Sequence, residues 1–320
     1  MFSRGLVRSA VATASCIAMK SRLARSMASY THTSSVLSAQ PILSAKQITD
    51  STIAVGDWDG KIYTAHPPAT LEQGGPVRSI AKLNEATFAT ADRSRVCVWD
   101  LKTHAELRKF GPEHAGMISD MCGFPNGLLA VVRWGSERVE IWDANTCTLK
   151  WALKGHTDDV KYMAGLSNNR LATFAWDHNI HIWNLETGQS EKKFHSGYIG
   201  AMVALPDDRL VTTNLAGITV WADGKCEKEI KMQDIPWHPR LAVTPDGQVL
   251  ITAFKTSFRS VDMDTGKTGD VITAGRSVDI WALETDDIST LLIPNHILCT
   301  DSGHVATFGP GRQMNCFRPN

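Results

Sequence analysis

Residues 155–184 decide the fold. They open with Gly155-His156-Thr157-Asp158-Asp159-Val160, pass through Arg170-Leu171-Ala172-Thr173-Phe174-Ala175, and close on Asn179-Ile180-His181-Ile182-Trp183-Asn184. Apolar residues alternate with polar ones inside each segment, the period of a half-buried strand rather than a helix. The connections carry turn chemistry, as in Leu185-Glu186-Thr187-Gly188, where Gly tolerates a left-handed backbone. One short strand follows another, so the stretch predicts a small antiparallel sheet.

The closing segment recurs on both sides. Upstream stand Arg95-Val96-Cys97-Val98-Trp99-Asp100 and Arg138-Val139-Glu140-Ile141-Trp142-Asp143; downstream stands Gly217-Ile218-Thr219-Val220-Trp221-Ala222. Trp99, Trp142, Trp183 and Trp221 thus follow one another at intervals of roughly 40 residues. Phe258-Arg259-Ser260-Val261-Asp262 keeps the shape without Trp, one interval further on. Gly60–Ala65 and Gly303–Phe308 are the weakest copies, the first a short interval before Trp99 and the second a long interval after Val261. Turns such as Phe124-Pro125-Asn126-Gly127, Leu205-Pro206-Asp207-Asp208 and Thr244-Pro245-Asp246-Gly247 punctuate the copies. Seven copies of about 40 residues account for the chain from about residue 30 onward.

These segments resemble the WD40-repeat β-propeller family, whose repeat carries Gly-His near its start and Trp-Asp at the end of its third strand. The resemblance covers about nine-tenths of the chain and implies an all-β propeller of about seven four-stranded blades. It divides the chain into residues 1–30, a basic leader, and residues 31–320, a single propeller domain. Closing the ring removes exposed sheet edges. In the family an N-terminal strand commonly completes the last blade, and residues about 27–33 are expected to supply it.

The resemblance also assigns His156, Thr173, Asp177 and Trp183. They match the family's buried network, in which indole bonds hydroxyl, hydroxyl bonds imidazole and imidazole bonds carboxylate. Such a set is structural rather than catalytic, because buried polar groups require full satisfaction. The other copies keep parts of it. Thr90, Asp92 and Trp99 lack a His; His114 and Trp142 lack hydroxyl and acid; His195, Thr212 and Trp221 lack the acid. His32 precedes Val36 as His156 precedes Val160, with Asp59 as the later acid and Ala65 in the tryptophan's place. His178 and His181 are three apart, hence on opposite faces of a strand, and no metal or cofactor site is expected from them.

Trp58 and Trp176 each precede a turn acid, Asp59 and Asp177, at a position the family places on the top face. Arg78, Asp159, Lys161, Tyr198 and Arg240 flank first-strand apolar residues on that same face. Aromatic residues dominate interface hot spots, so this set is the candidate partner-binding surface; packing against a neighbouring blade is the alternative for the two tryptophans.

Charge separates the two parts of the chain. The 33 basic and 33 acidic residues cancel, yet no acidic residue precedes Asp50. Arg4, Arg8, Lys20, Arg22 and Arg25 all stand before Tyr30, which leaves the rest of the chain with a surplus of five acids. A basic, Ser-rich, acid-free leader reads as a mitochondrial transit peptide; a disordered basic tail, and with it a cytoplasmic location, is the alternative. An acid-surplus body argues against general nucleic-acid binding. No apolar run is long enough for a spanning helix. The seven cysteines show no CxxC spacing and read as reduced thiols. No GxxxxGK[ST], GxSxG or HExxH motif occurs. The expected function is a non-catalytic scaffold for other proteins, within a mitochondrial multi-subunit complex. An enzyme working in the propeller channel and an RNA- or ribosome-associated factor are the alternatives.

Overall fold

A computed structural model of the chain describes its residues except 1–29, 37–39, 50–51, 65–67, 112–115, 233–234, 236–238, 245–246, 254–256, 270–271, 274–295, 300–304, 309–312 and 320. The described strands form seven four-stranded antiparallel sheets. The first holds Ile42–Thr49, Thr52–Asp57, Lys61–Thr64 and Ala69–Glu72; the second Ser79–Lys82, Thr87–Ala91, Val96–Asp100 and Glu106–Phe110. The third holds Ile118–Gly123, Leu128–Arg133, Val139–Asp143 and Thr148–Leu153; the fourth Val160–Leu166, Arg170–Ala175, Asn179–Asn184 and Gln189–His195. The fifth holds Ala201–Ala204, Leu210–Asn214, Gly217–Ala222 and Lys225–Lys231; the sixth Leu241–Val243, Val249–Ala253, Ser257–Val261 and Ile272–Thr273. In the seventh, His296–Cys299, Val305–Phe308 and Gln313–Pro319 are completed by Tyr30–Val36 from the other end of the chain. Six sheets carry described side chains; the seventh is described through its backbone.

The first strand of each sheet lies against the first strand of the next, and His296–Cys299 returns to Ile42–Thr49, so the ring is closed with first strands innermost. The core sits between sheets. Ala89, Val98 and Leu83 of the second pack on Ile118, Met121 and Leu129 of the third. Val132 and Ile141 of the third pack on Val160, Leu171 and Trp183 of the fourth. Phe174 and Ile182 of the fourth pack on Ile199 and Leu210 of the fifth. Each of these interfaces buries apolar side chains at about 25 cal/mol per Å², so the second to fifth sheets are each stabilised by both neighbours.

Bulges recur at two places. Pairing of third and fourth strands slips at Val98/Trp99, Ile141/Trp142, Ile182/Trp183 and Val220/Trp221. Every repeat tryptophan therefore stands at a local kink. Pairing of first and second strands slips at Ile42/Ser44, Ile118/Asp120 and Val160/Tyr162, leaving Leu43, Ser119 and Lys161 as the extra residues. A bulge re-aims its side chain out of the alternating pleat.

Three sequence expectations change at the ends of the ring. The closing strand is Tyr30–Val36, later than the expected 27–33. His32 therefore lies inside that strand, in register with Phe317, and is not the counterpart of His156; the first inner strand begins at Ile42 rather than near Val36. Gly303–Phe308 holds the second strand of the last sheet, not the third, which is Gln313–Pro319. With no Trp in that sheet, the strand order has no anchor in sequence. The basic leader lies outside the described residues. Among the described residues no helix is long and apolar enough to cross a membrane.

Candidate functional site

The fourth sheet holds a continuous buried hydrogen-bond chain. Trp183 Nε1 donates to Thr173 Oγ1 at 2.8 Å, Thr173 Oγ1 meets His156 Nε2 at 2.8 Å, and His156 Nδ1 meets Asp177 Oδ2 at 3.0 Å. An indole can only donate, which gives the chain one direction. Thr173 donates onward to Nε2, so Nδ1 carries the proton and donates to the carboxylate. Asp177 also accepts the N–H groups of Thr157 and Asn179, fixing the turn between second and third strands. Burial holds the His156 imidazole below its ordinary value against the pull of Asp177. For Asp177, burial pushes up, but the N–H of Asn179 and its other donors outweigh it and hold the carboxyl below the usual range. A Cβ on Gly155 would come within about 3.0 Å of Trp183 and 3.1 Å of His181, so either ring would have to shift by a few tenths of an ångström to admit it.

The other sheets anchor their indoles differently. In the second, Trp99 donates to Thr90 Oγ1 at 2.8 Å, and Thr90 bonds the amide of Gln73. Gln73 stands before Val77 as His156 stands before Val160. The missing His is thus replaced by an amide, an exchange that a search for Gly-His cannot register. Asp92 caps the turn through Ser94 and Arg95 N–H instead. In the third sheet Trp142 donates at 2.9 Å to Glu140, which forms a two-point pair with Arg133 at 3.1 and 3.2 Å; His114 lies outside the described residues. In the fifth, Trp221 donates to Thr212 at 2.8 Å, while His195 is exposed beside His178. In the first, the turn acid is Asp57 rather than Asp59. Asp57 accepts from Asp59 N–H, Lys61 N–H and the Tyr63 hydroxyl.

His156, Asp177 and His181 bring possible ligand atoms within 4.8 Å of one another. Both His156 nitrogens already bond protein groups, so an ion would have to break the His156–Asp177 bond. His181 stacks on Trp183 at 4.9 Å and 13°, and burial drives its imidazole down to about 4. The grouping can therefore lock the sheet as it stands, without a metal. His178 occupies a left-handed turn position (φ 62°) and is exposed.

A different set of side chains forms a row on the face where second strands end. Trp58, Trp134 and Trp176 occupy equivalent places. Each donates its backbone N–H to the carbonyl just before an inner strand: Trp58 to Pro41, Trp134 to Met117 and Trp176 to Asp159. Trp58 is 47% and Trp134 67% exposed. Cations lie between them. The Arg78 guanidinium sits over Trp58 at 5.7 Å, and Arg78 and Trp134 line one small cleft of about 130 Å³ with Leu43, Met117, Ile118 and Ser119. Lys161, aimed by its bulge, places Nζ 4.8 Å from the ring of Trp134 and 5.4 Å from that of Trp176. Tyr198 stacks on Trp176 at 5.7 Å and 14°, with Phe174 at its edge.

Of the sequence candidates, Trp58, Arg78, Lys161, Trp176 and Tyr198 are brought into this row. Trp176 is half-buried and packs on the neighbouring sheet through Tyr198; Trp58 is open to solvent. Asp159 instead lines an outer groove of about 680 Å³ between third and fourth sheets, with Ser136, Arg138, Leu149 and Asp158. Arg240 is exposed and close enough to Asp120 and Tyr162 to act on their charges across the channel. Trp134 is the member that sequence reasoning misses. Its signal is that it stands one repeat length before Trp176. Trp151 donates to Leu185 O at 3.1 Å and packs between sheets; Trp237 and Trp281 lie outside the described residues.

The channel wall carries little acid. Of the seven inner strands only Ile118–Gly123 contains a carboxylate, Asp120. It accepts from Met121 N–H at 2.8 Å and Ser79 Oγ at 3.3 Å, and burial holds it in the raised, proton-retaining direction. These strands carry no pair of convergent carboxylates for general acid–base work.

Four-stranded sheets in a closed ring, first strands innermost, define a β-propeller. A solved structure described as the WD40 beta propeller domain of Doa1 superposes with a TM-score of 0.71, covering 92% of this chain and 98% of that one at 14% identity. The family described as WD domain, G-beta repeat matches residues 147–184, the fourth sheet with its complete network. Residues 147–184 therefore form a WD40 repeat, and the chain as a whole has the fold of a WD40-type β-propeller. Among curated proteins it is similar to Autophagy-related protein 16 of Arabidopsis thaliana, 23% identical over 167 residues, 51% of this chain and 31% of that protein. It is also similar to the WD repeat-containing protein WDS homolog of the same organism, 29% identical over 137 residues, 39% of this chain and 26% of that protein. The matched region spans less than a third of either relative's length.

Proposed function

We propose that this chain is a non-catalytic scaffold that docks partner proteins on the face bearing Trp58, Arg78, Trp134, Lys161, Trp176 and Tyr198. WD40 propellers commonly serve as protein-interaction scaffolds. The observation that carries the reading is the placement of three tryptophans at one equivalent position, two of them strongly exposed. Large apolar rings held out in water are costly for a monomer and mark interaction surfaces. Bulges and backbone bonds fix their directions before any partner arrives, so little ordering entropy is lost on docking. The scarcity of channel acid favours this reading over catalysis.

The test is co-purification of the full chain and a Trp134→Ala/Trp176→Ala variant, with Leu149→Ala in the outer groove as control. Partners should be lost from the double variant at least tenfold and kept by the control. Equal recovery from both variants would sink the proposed face. We also propose a mitochondrial location within a multi-subunit assembly, supported by the acid-free basic stretch before Asp50. Cell fractionation with N-terminal sequencing tests it; cytosolic protein retaining Met1 would refute it.

A further inference from the structure

We infer that the docking face recognises an acidic linear segment, whose carboxylates settle on Arg78 and Lys161 between the tryptophans. This rests on the docking reading above and adds the chemistry of the partner. The row alternates ring and cation across five sheets: Trp58, Arg78, Trp134, Lys161, Trp176, Tyr198. Neither Arg78 nor Lys161 has an ion-pair partner among the described residues. Arg78 Nε is buried with no hydrogen-bond acceptor, and Arg78 lines the small cleft beside Trp134. A buried donor without an acceptor is a standing cost that an entering oxygen removes. Guanidinium offers a fork that fits a carboxylate at two points.

Arg78, Lys161 and Arg240 all stand at the starts of inner strands, on the side where second strands end. Asp159, the acid beside Val160, lines the outer groove instead. Cations held beside low-polarity ring surfaces attract a carboxylate more strongly than cations in open water. The cleft of about 130 Å³ admits one small apolar side chain next to the carboxylate. The expected segment is extended, with Asp or Glu flanked by apolar or aromatic residues.

A single-stranded RNA also pairs phosphates with rings, but its bases need open ring faces. Here Tyr198 and Lys161 cover Trp176, and Lys161 lies on one face of Trp134, so fewer open ring faces remain than a run of stacked bases would use.

The test is selection of a random peptide display library on the immobilised full chain, followed by fluorescence anisotropy with the best selected peptide. Selected peptides should be enriched in Asp and Glu. Replacing their carboxylates by amides should weaken binding at least tenfold, as should Arg78→Gln; Arg78→Lys should restore part of it, since charge returns without the fork. Melting temperatures of the variants should match the parent, because Arg78 lies at the rim and not in a core between sheets. Peptides without acidic enrichment, or binding unmoved by Arg78→Gln, overturn the inference while leaving the docking face intact. Peptides whose binding ignores Trp134→Ala/Trp176→Ala overturn the docking face itself. A fluorescein-labelled oligouridylate that binds more tightly and displaces the peptide overturns the inference in favour of RNA.

Discussion

In the fourth sheet the indole N–H of Trp183 ends in a chain of hydroxyl, neutral imidazole and carboxylate; in the third, that of Trp142 ends on Glu140, which is held by Arg133. Both tryptophans stand at the same bulge, and both rings fill an interface between sheets. The requirement common to both is an acceptor for one buried donor. The residues that supply it are interchangeable. Gln73 in the second sheet makes the same point with an amide. The two arrangements differ in what else they hold. The fourth sheet's network reaches the turn through Asp177, whereas the third sheet's pair reaches back to Gly116 O through Arg133 at 2.8 Å.

Substitutions separate these contributions. Trp183→Ala should cost about 3–5 kcal/mol, since it removes a buried ring and strands the network. Urea unfolding measures it, and a loss below about 1 kcal/mol would show the fourth sheet contributes little. Glu140→Ala should cost about 2–3 kcal/mol, because Arg133, only 8% exposed, loses its counter-charge while Trp142 loses its acceptor. Glu140→Gln should cost less, as the amide oxygen still accepts. Equal losses for the two would mean the ion pair is unimportant. Thr173→Val should cost about 1–3 kcal/mol by leaving both Trp183 Nε1 and His156 Nε2 without partners.

The smallest effect distinguishes the sheets by acid. Burial lowers both His156 and His181 below 6.5, His181 to about 4, with Lys193 reinforcing and Asp177 opposing. Unfolded imidazoles therefore bind protons that the folded ones refuse. Stability from the fourth sheet is full above pH 6.5 and declines as pH falls toward 4. Asp177 acts in a lower window, since its stabilisation is lost only below 3.8. Melting temperature should drop by a few degrees between pH 7.5 and pH 5. His181→Phe, which keeps a ring on Trp183, should flatten that drop; an unchanged slope would place the pH dependence elsewhere.

The fold is legible wherever a tryptophan records the bulge. Trp99, Trp142, Trp183 and Trp221 set the third strands of four sheets, and each lies where the spacing puts it. Legibility fails where that anchor is missing. Val305–Phe308 copies a third-strand pattern but pairs as a second strand, because period-two alternation is identical for both. His32 copies the His156 spacing inside the closing strand. The docking row is half legible. Family position singles out Trp58 and Trp176, but Trp134 carries no neighbouring acid to mark it. Arg78 and Lys161 are readable as rim charges. That Lys161 lies over two rings depends on a bulge, a local event with no marker in sequence.

The closing strand has a mechanical consequence. Tyr30–Val36 joins the ring through seven register pairs with Gln313–Pro319, so the chain's two ends share one seam. Tension applied upstream of Tyr30 loads that seam first, starting at Tyr30 and Pro319. Once it parts, the last sheet keeps three strands, and only the packing of His296–Cys299 on Ile42–Thr49 joins it to the first. Synthesis meets the same geometry in reverse. Tyr30–Val36 leaves the ribosome early and waits for its partner strand until nearly all the other strands have been made. Until then the nascent molecule is a stack without a lock.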